Sequence, residues 1–573
     1  MRSKKFGERH GMRLRKNWYK SDRAKLLFAI GLNLTFLLVM LLCFEVRFEE
    51  NDDLAVQKFL DGQTAVKSPF VVYINFFLAK LLIVLYDISD NALPVFGLFQ
   101  YALLFTSFTG ISYLLFRRLN PLAAAAGSLA LLCFFGADSY LIMTYTETAG
   151  IAAVGGVCLM LLGADEVGGG RKWLPLLLGA LLLLLSLMLR DKEFLACTAL
   201  MGPLGLCCLI RHVREAEGKK LRSGMKFAAP FLLTLVLAGG LYAANEAIWN
   251  HSEYYDYKVY NAARSRHMDY GTPDYEQMPE VYDALGIDEN TLALSGFYDT
   301  EKWTTQTHDS ISAARDEIHG TRSLGECLGI FLNTCLPNFF IQRHIYGLLA
   351  VLLLWLSCGK RDWLSFITAG LAFAAFGALY LLLIRQGRFL VNRTDVGFFF
   401  ALAVTLLWLL KPEKARKEKL LSFLLILLCL ALGYRQNRDH CYFYEENVLT
   451  DDSSQKAAVE ILLQDEHLFL TGIDGVNHML YSPLETVPAG YSDKIILLGD
   501  WYVTHPNIAS TMARYGIVNP YEDVVGNDSA YLMVPDIEAT MAYINKYYAP
   551  EARAELVEPL SAETGLCIYR VLE

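Results

Sequence analysis

Charge is scarce in this sequence. Asp, Glu, Lys and Arg make up 19% of its 573 residues, against roughly a quarter in soluble domains. Hydrophobic residues reach 54% and the mean hydropathy is +0.30, which excludes a soluble enzyme and makes the bilayer the solvent to reason about. Cysteine spacing suited to zinc is also missing. Of 12 cysteines, Cys43, Cys133, Cys158, Cys197, Cys207, Cys208, Cys358 and Cys429 fall in apolar runs, where a thiol acts as a small buried hydrophobe. No CxxC pair or Cys/His cluster has the spacing of a structural metal site. The spacing of Cys327 and Cys335 allows an extracytoplasmic disulfide and equally allows two free thiols. No Gly-rich phosphate loop follows a strand pattern, since "TGIDGVN" (471–477) has two glycines at the wrong spacing. No internal repeat is visible and the apolar runs hold few ionisable groups, which weighs against a transporter. The Lys/Arg-rich loops act as topology signals and call for no nucleic-acid partner.

What is present is a series of apolar runs such as "WLPLLLGALLLLLSLML" (173–189). They predict spanning helices near 25–44, 94–116, 121–137, 148–163, 173–189, 194–210, 227–248, 345–358, 363–384, 395–410 and 420–433. About ten Lys/Arg precede or open the first run, and no small-residue cleavage site follows it, so it reads as an anchor. The stretch "FVVYINFFLAKLLIVLY" (70–86) is ambiguous, being short and interrupted by Lys80. Charge decides it. If 70–86 does not span, the N-terminal tail, Arg117-Arg118, Arg171-Lys172, the 211–226 loop, Lys360-Arg361 and the 411–419 loop all face the cytoplasm. The expected fold is therefore a polytopic α-helical membrane protein with about eleven transmembrane helices plus interfacial juxtamembrane helices. A basic cytoplasmic tail (1–24) precedes a transmembrane domain (25–433) with outer loops 45–93 and 249–343. The remainder, 434–573, reads as a small extracytoplasmic α/β domain. In it "HLFLTG" (467–472), "KIILLGD" (494–500), "AYLMVPD" (530–536) and "GLCIYRVLE" (565–573) are strand candidates between helical patterns at 454–466, 507–516 and 537–548. Its bland role is capping or docking.

The most unusual stretch is "RFEENDDLAVQKFLDG" (47–62), with four carboxylates in positions 49–53 just past the anchor. Asn51-Asp52-Asp53 fits a helix cap, with acids at the positive end of a short helix, and Glu49 and Glu50 read as boundary charges. It equally fits a carboxylate held at the membrane surface to take a proton or hold a divalent cation. On the same expected face lie Lys80, Arg190-Asp191, Arg264 and Arg266 in "YNAARSRHMDYG", and Arg385, Arg388 and Arg393 in "RQGRFLVNRTD". These cations run against the positive-inside trend. Each alone fits snorkelling or structural pairing. Together with the acids they suggest an anionic lipid head group beside an acid–base group.

This arrangement resembles the GT-C superfamily of integral-membrane glycosyltransferases. The likeness lies in the paired acids Asp52 and Asp53 in the first outer loop and in the amphipathic helices that follow, near 53–61 and 69–86. "NDDLAVQKFLDG … YINFFLAKLLIVLY" and "YNAARSRHMDYG" look like segments of clostridial-type multispanning members of that superfamily. The likeness covers the layout of 1–433. It implies a polyprenyl-phosphate-linked sugar donor and an extracytoplasmic glycan, lipid or protein acceptor, in a plasma membrane and with inversion at the sugar. It also implies that Asp52 or Asp53 is the general base or a ligand of a divalent metal such as Mg or Mn. Phosphate recognition would fall to Arg190, Arg385 and Arg388, with Lys80 and Arg264 as further lipid-phosphate or substrate contacts. No sequon-binding motif like that of oligosaccharyltransferases is visible, which leaves the acceptor open. The alternative is a transporter or flippase for a lipid-linked or anionic solute.

Among the remaining features, the Tyr and Trp residues of 249–343 read as belt or packing residues more than sugar-stacking ones. His251, His267, His308 and His319 are too dispersed to argue a metal. Trp501 is expected in the core of the tail domain, and Glu147 facing the bundle interior.

Overall fold

The structure, a computed structural model, describes residues 21–573 apart from 50, 65, 166–172, 217, 219, 294–298, 321, 358–361, 388–391, 412–415, 448–451, 473–475, 477–479 and 499–500. It is a mostly helical, multi-pass membrane protein with a small mixed-sheet domain at its C-terminal end. Among the described residues, six helices are long and apolar enough to cross a bilayer: Asp22–Cys43, Val95–Arg118, Pro121–Leu141, Tyr145–Ala164, Lys220–Asn250 and Trp363–Arg385. Two bent pairs bring the number to eight if each is one span. Asp191–Leu200 meets Gly202–Glu215 at 46°, and Leu324–Phe339 meets Arg343–Ser357 at 89°. Trp173–Leu189, Asn392–Leu409 and Arg416–Asn447 supply helices at the other expected positions.

Local chemistry accounts for the differences from a plain count of apolar runs. The 194–210 run breaks at Met201-Gly202-Pro203, where proline lacks the N–H needed to continue a helix and instead opens the next one. The stretch Leu324–Phe339, read from sequence as part of a loop, is apolar and helical, with a capping box at Ser323 and Glu326. Cys327 and Cys335 lie on that one helical run, about 12 Å apart along its axis, and both are free. That spacing excludes the disulfide. Phe76–Ile88 has 13 residues, about 20 Å of helix, which is too short for a hydrocarbon core of about 30 Å.

Small residues set the packing that positions the site. A Cβ on Gly156 would meet the carbonyl oxygen of Gly179 at 2.9 Å, and one on Gly179 would meet that of Gly156 at 2.7 Å. The Tyr145–Asp165 and Trp173–Leu189 helices therefore touch backbone to backbone, the close approach that small residues permit in membranes. Ser186 Oγ adds a bond to the Ala149 carbonyl at 2.7 Å. At a second crossing, a Cβ on Gly397 would lie 2.9 Å from Glu193 Oε1 and 3.5 Å from Gly150 Cα. One helical turn before each glycine come Thr146 and Arg393, so this crossing carries both to the same end of the bundle.

A two-residue parallel ladder joins β1 (Arg47–Phe48) to β2 (Ile142–Met143). The C-terminal domain holds β3 (Leu468–Thr471), β4 (Ile495–Leu497), β5 (Ala530–Met533), β6 (Arg553–Leu556) and β7 (Ile568–Leu572), in the order β4-β3-β5-β7-β6. β3 pairs parallel with β4 and β5, while β5–β7 and β6–β7 are antiparallel. The edge strand β6, "RAEL", is charged and mostly exposed, so it carries no hydrophobic alternation to reveal it, as suits an edge. The sheet domain is clamped onto the Asn51–Asp61 helix and its following turn. Gln57 Nε2 donates to the Glu485 carbonyl at 3.0 Å. Gly490 N–H donates to Gln63 Oε1 at 2.8 Å and Ser492 N–H to the Gln63 carbonyl at 3.0 Å. Lys58 Nζ stands 3.9 Å over the Tyr491 ring. Trp501 is buried against Phe59, with ring centroids 5.7 Å apart. Trp501 thus fills the interface with the acidic helix, and is not confined to the tail domain's own core.

Candidate active site

The two adjacent aspartates have different surroundings. The β1–β2 ladder, extended by Glu49 N–H donating to the Met143 carbonyl at 3.0 Å, brings the start of the Asn51–Asp61 helix against the start of the Tyr145–Asp165 helix. Asp53 sits between them, fully buried. Its Oδ1 accepts from Tyr145 N–H at 2.9 Å and from Gln100 Nε2 at 3.2 Å, and Gln100 is held in turn by Thr148 Oγ1 at 3.0 Å. Burial pushes the Asp53 carboxyl well above the usual carboxylate range, against the pull of those two donors. Asp53 is a fastener between two helix ends.

Asp52, about 100° further round the helix, faces a ring of cations and phenols. Burial raises its carboxyl above the ordinary range, while Arg393, Arg264 and Arg190 act in that order to lower it and Asp269 to raise it. Each arginine is held in place. The Arg190 guanidinium lies 5.1 Å from the Tyr73 ring centroid and 5.4 Å from that of Tyr145, where the ring faces attract a cation. Arg264, buried, donates from Nε to Asn261 Oδ1 at 3.1 Å and from Nη2 to Tyr73 Oη at 2.9 Å. Arg393 arrives through the Gly150–Gly397 crossing. Trp501 meets Tyr73 edge-on at 5.0 Å, so the C-terminal domain reaches within one ring of the cluster. A cavity of about 200 Å³ opens beside it, lined on its polar side by Arg190, Lys192 and Arg393 together with the buried carboxyls of Glu193 and Asp395, and on its apolar side by Leu379, Leu383 and Phe398.

Nearly the whole chain is similar to ArnT from Cupriavidus metallidurans. The crystal structure of that protein bound to undecaprenyl phosphate matches 95% of this chain and 97% of that one, with TM-score 0.37 and 11% identity. Its apo state matches 93% and 95%, with TM-score 0.36 and 12% identity. No family model matches the chain, and no curated protein matches it in sequence. A likeness this loose decides nothing about the site, which stands on its own residues.

A divalent cation does not fit that set. Among the described residues no group of three or more His, Cys, Asp or Glu side chains converges. One Asp53 oxygen already holds two N–H donors, and a dication at Asp52 would sit among three guanidinium groups.

Of the residues singled out in the sequence, Asp52, Asp53, Arg190 and Arg264 come together. Arg385 is exposed and lines a neighbouring cavity with Arg266 and Arg315. Lys80 is exposed, 5.8 Å over the Phe76 ring, on the face that also exposes Phe77, Leu81 and Val84. Arg388, Glu50 and most of the 471–477 glycine stretch lie outside the described residues. Arg393 was visible in "RQGRFLVNRTD" as one cation among three, with nothing local to rank it first. Tyr73, Tyr145 and Gln100 had no sequence signal, because their roles come from packing. Glu147 is buried in the bundle as expected. His267 and His308, dispersed in sequence, meet at 2.9 Å between their Nδ1 atoms under Trp303.

Proposed function

We propose that the chain is a membrane glycosyltransferase that moves a sugar from a polyprenyl-phosphate donor to an extracytoplasmic acceptor. The observation that carries this reading is one carboxylate, Asp52, set among three guanidinium groups beside a cavity with one apolar wall. The apolar wall suits an isoprenoid chain. Guanidinium groups suit its phosphate because they stay charged and bind oxygens in pairs. A carboxylate whose affinity for protons is raised by burial is a better base than a solvated one.

In the transfer, Asp52 takes the proton from the acceptor hydroxyl as that oxygen attacks the anomeric carbon. The bond from that carbon to the phosphate oxygen breaks on the opposite face, so configuration inverts. The electron pair leaves on polyprenyl phosphate, whose growing charge falls to Arg190 and Arg393. Arg264 holds Tyr73, and through it the face on which Arg190 rests. Asp53 supplies geometry by holding the Asp52 helix in register. The charge pattern of the loops supports a cytoplasmic N-terminus, with this end of the bundle outside a plasma membrane.

Native mass spectrometry of the full chain in lipid nanodiscs tests the donor site. Undecaprenyl phosphate should bind, and Arg393→Gln and Arg190→Gln should each weaken it about tenfold or more, while Lys80→Gln leaves it unchanged. Equal binding by all four proteins would remove the arginines from the site and the reading with them.

A further inference from the structure

Beside the Asp52 cavity lies a larger one, about 470 Å³, whose wall contains Arg266, Arg315, Arg385, Asp316 and Leu382. The two cavities have Tyr270 and Gln386 in common, so those side chains form the partition between them. Asp269, next to Tyr270, also acts through its charge to raise the Asp52 carboxyl.

The charge of this second cavity is specific. Arg315 has a side chain only 3% exposed. It is braced by Asp316 Oδ1 at 2.7 Å and by the His267 carbonyl, to which its Nη1 donates at 3.2 Å, and its guanidinium lies 5.4 Å from the Tyr270 ring centroid. Arg266 bonds Asp309 Oδ1 at 2.8 Å through one Nη, with its side chain 60% exposed. Arg385 ends the Trp363–Arg385 helix and is exposed. Three guanidinium groups against Asp316 and Asp309 leave this wall net positive.

We propose that this second cavity is the acceptor site and that it selects an acceptor bearing a phosphate or carboxylate group. The word acceptor rests on the transferase reading; the anion site does not. An acceptor anion held by Arg385 and Arg266 would leave the acceptor's hydroxyl free to pass the Tyr270–Gln386 partition toward Asp52. Donor phosphate and acceptor anion would then be held by separate arginines on either side of the carboxylate. This also gives Arg385, which takes no part in the Asp52 ring, a purpose against the positive-inside trend.

The test uses the full chain in phosphatidylcholine nanodiscs, titrated with inorganic phosphate and followed by ³¹P relaxation of the free ion, before and after saturation with undecaprenyl phosphate. Phosphate should still bind to the saturated protein. Arg266→Gln/Arg385→Gln should weaken that binding at least tenfold and leave undecaprenyl phosphate affinity within twofold. Phosphate binding that undecaprenyl phosphate abolishes, or that ignores both substitutions, would overturn the proposal. Phosphate binding that depends on Arg385 in a chain that fails to take undecaprenyl phosphate would uphold the anion site and sink the transferase reading instead. Replacing the disc lipid by phosphatidylglycerol separates the sources of the anion. Competition would assign the site to a lipid head group, and its absence to a soluble or glycan-borne anion.

Discussion

Replacing each of the two aspartates in turn should separate catalysis from scaffolding. Asp53 Oδ1 accepts two buried hydrogen bonds, from Tyr145 N–H and Gln100 Nε2, while its Oδ2 is buried without a hydrogen-bond partner among the described residues. Asp53→Ala strands both donors away from water, at about 1–3 kcal/mol each, so a loss of about 2–6 kcal/mol is expected. Asp53→Asn keeps the accepting oxygen and puts an NH2 where the unpartnered oxygen was, so stability should stay within about 1 kcal/mol. Turnover should survive at a tenth or more of the native value. Asp52 is shifted by burial and neighbouring charges and accepts no such pair of donors among the described residues, so Asp52→Asn should melt like the native chain, yet its turnover should fall about 10²- to 10⁴-fold with the loss of the base. Thermal unfolding in detergent, read by tryptophan fluorescence, gives the first quantity. Turnover of a labelled polyprenyl-phosphate sugar gives the second. If Asp53→Asn were as inactive as Asp52→Asn while melting normally, the division of labour between the two carboxylates would be refuted.

Three further outcomes follow from the same geometry. Arg393 is the strongest of the charges that lower the Asp52 carboxyl, so Arg393→Gln should move the acid limb of the pH–rate profile upward by about one unit or more, and Arg393→Lys should move it back; an unmoved limb would separate the two residues. Burial depresses His267 to about 4 and His308 to about 3, so both stay neutral in the folded loop while an unfolded imidazole takes a proton below about pH 6.5. Stability should therefore be flat above that pH and fall below it, by roughly 2 kcal/mol at pH 5 for His267 alone; melts identical at pH 7.5 and pH 5 would contradict this. Trp501→Ala removes the ring between Phe59 and Tyr73, a change in the class that costs about 3–5 kcal/mol, and hydrogen exchange should rise along the 51–61 helix ahead of the sheet domain.

Much of the fold was legible because its signals are local. Apolar runs of spanning length marked helices that the structure contains, and the 70–86 stretch fell to loop charge alone. The sheet domain showed in short apolar strands, apart from β6, whose exposed charges hide it. The site was legible only as a neighbourhood. Four carboxylates past an anchor pointed to the Asn51–Asp61 helix, but Asp52 and Asp53 differ by a rotation that matters only once Tyr145 and Gln100 are placed. Arg393 and Arg385 stand eight positions apart in one stretch. Packing such as the close approach of Gly150 and Gly397 carries the first toward Asp52, and the helix end leaves the second at the neighbouring cavity. The His267–His308 pair spans 41 residues, and no periodicity connects them.

The most direct measurement is mass spectrometry of membrane lipids from cells carrying the native chain, Asp52→Asn or Asp53→Asn at matched expression. A polyprenyl-phosphate sugar should accumulate on the extracytoplasmic face with Asp52→Asn alone, its mass reporting the sugar. Accumulation confined to the cytoplasmic face would instead mark a blocked flippase. An unchanged lipid profile in cells that make such a donor would contradict the assignment of Asp52 as the base.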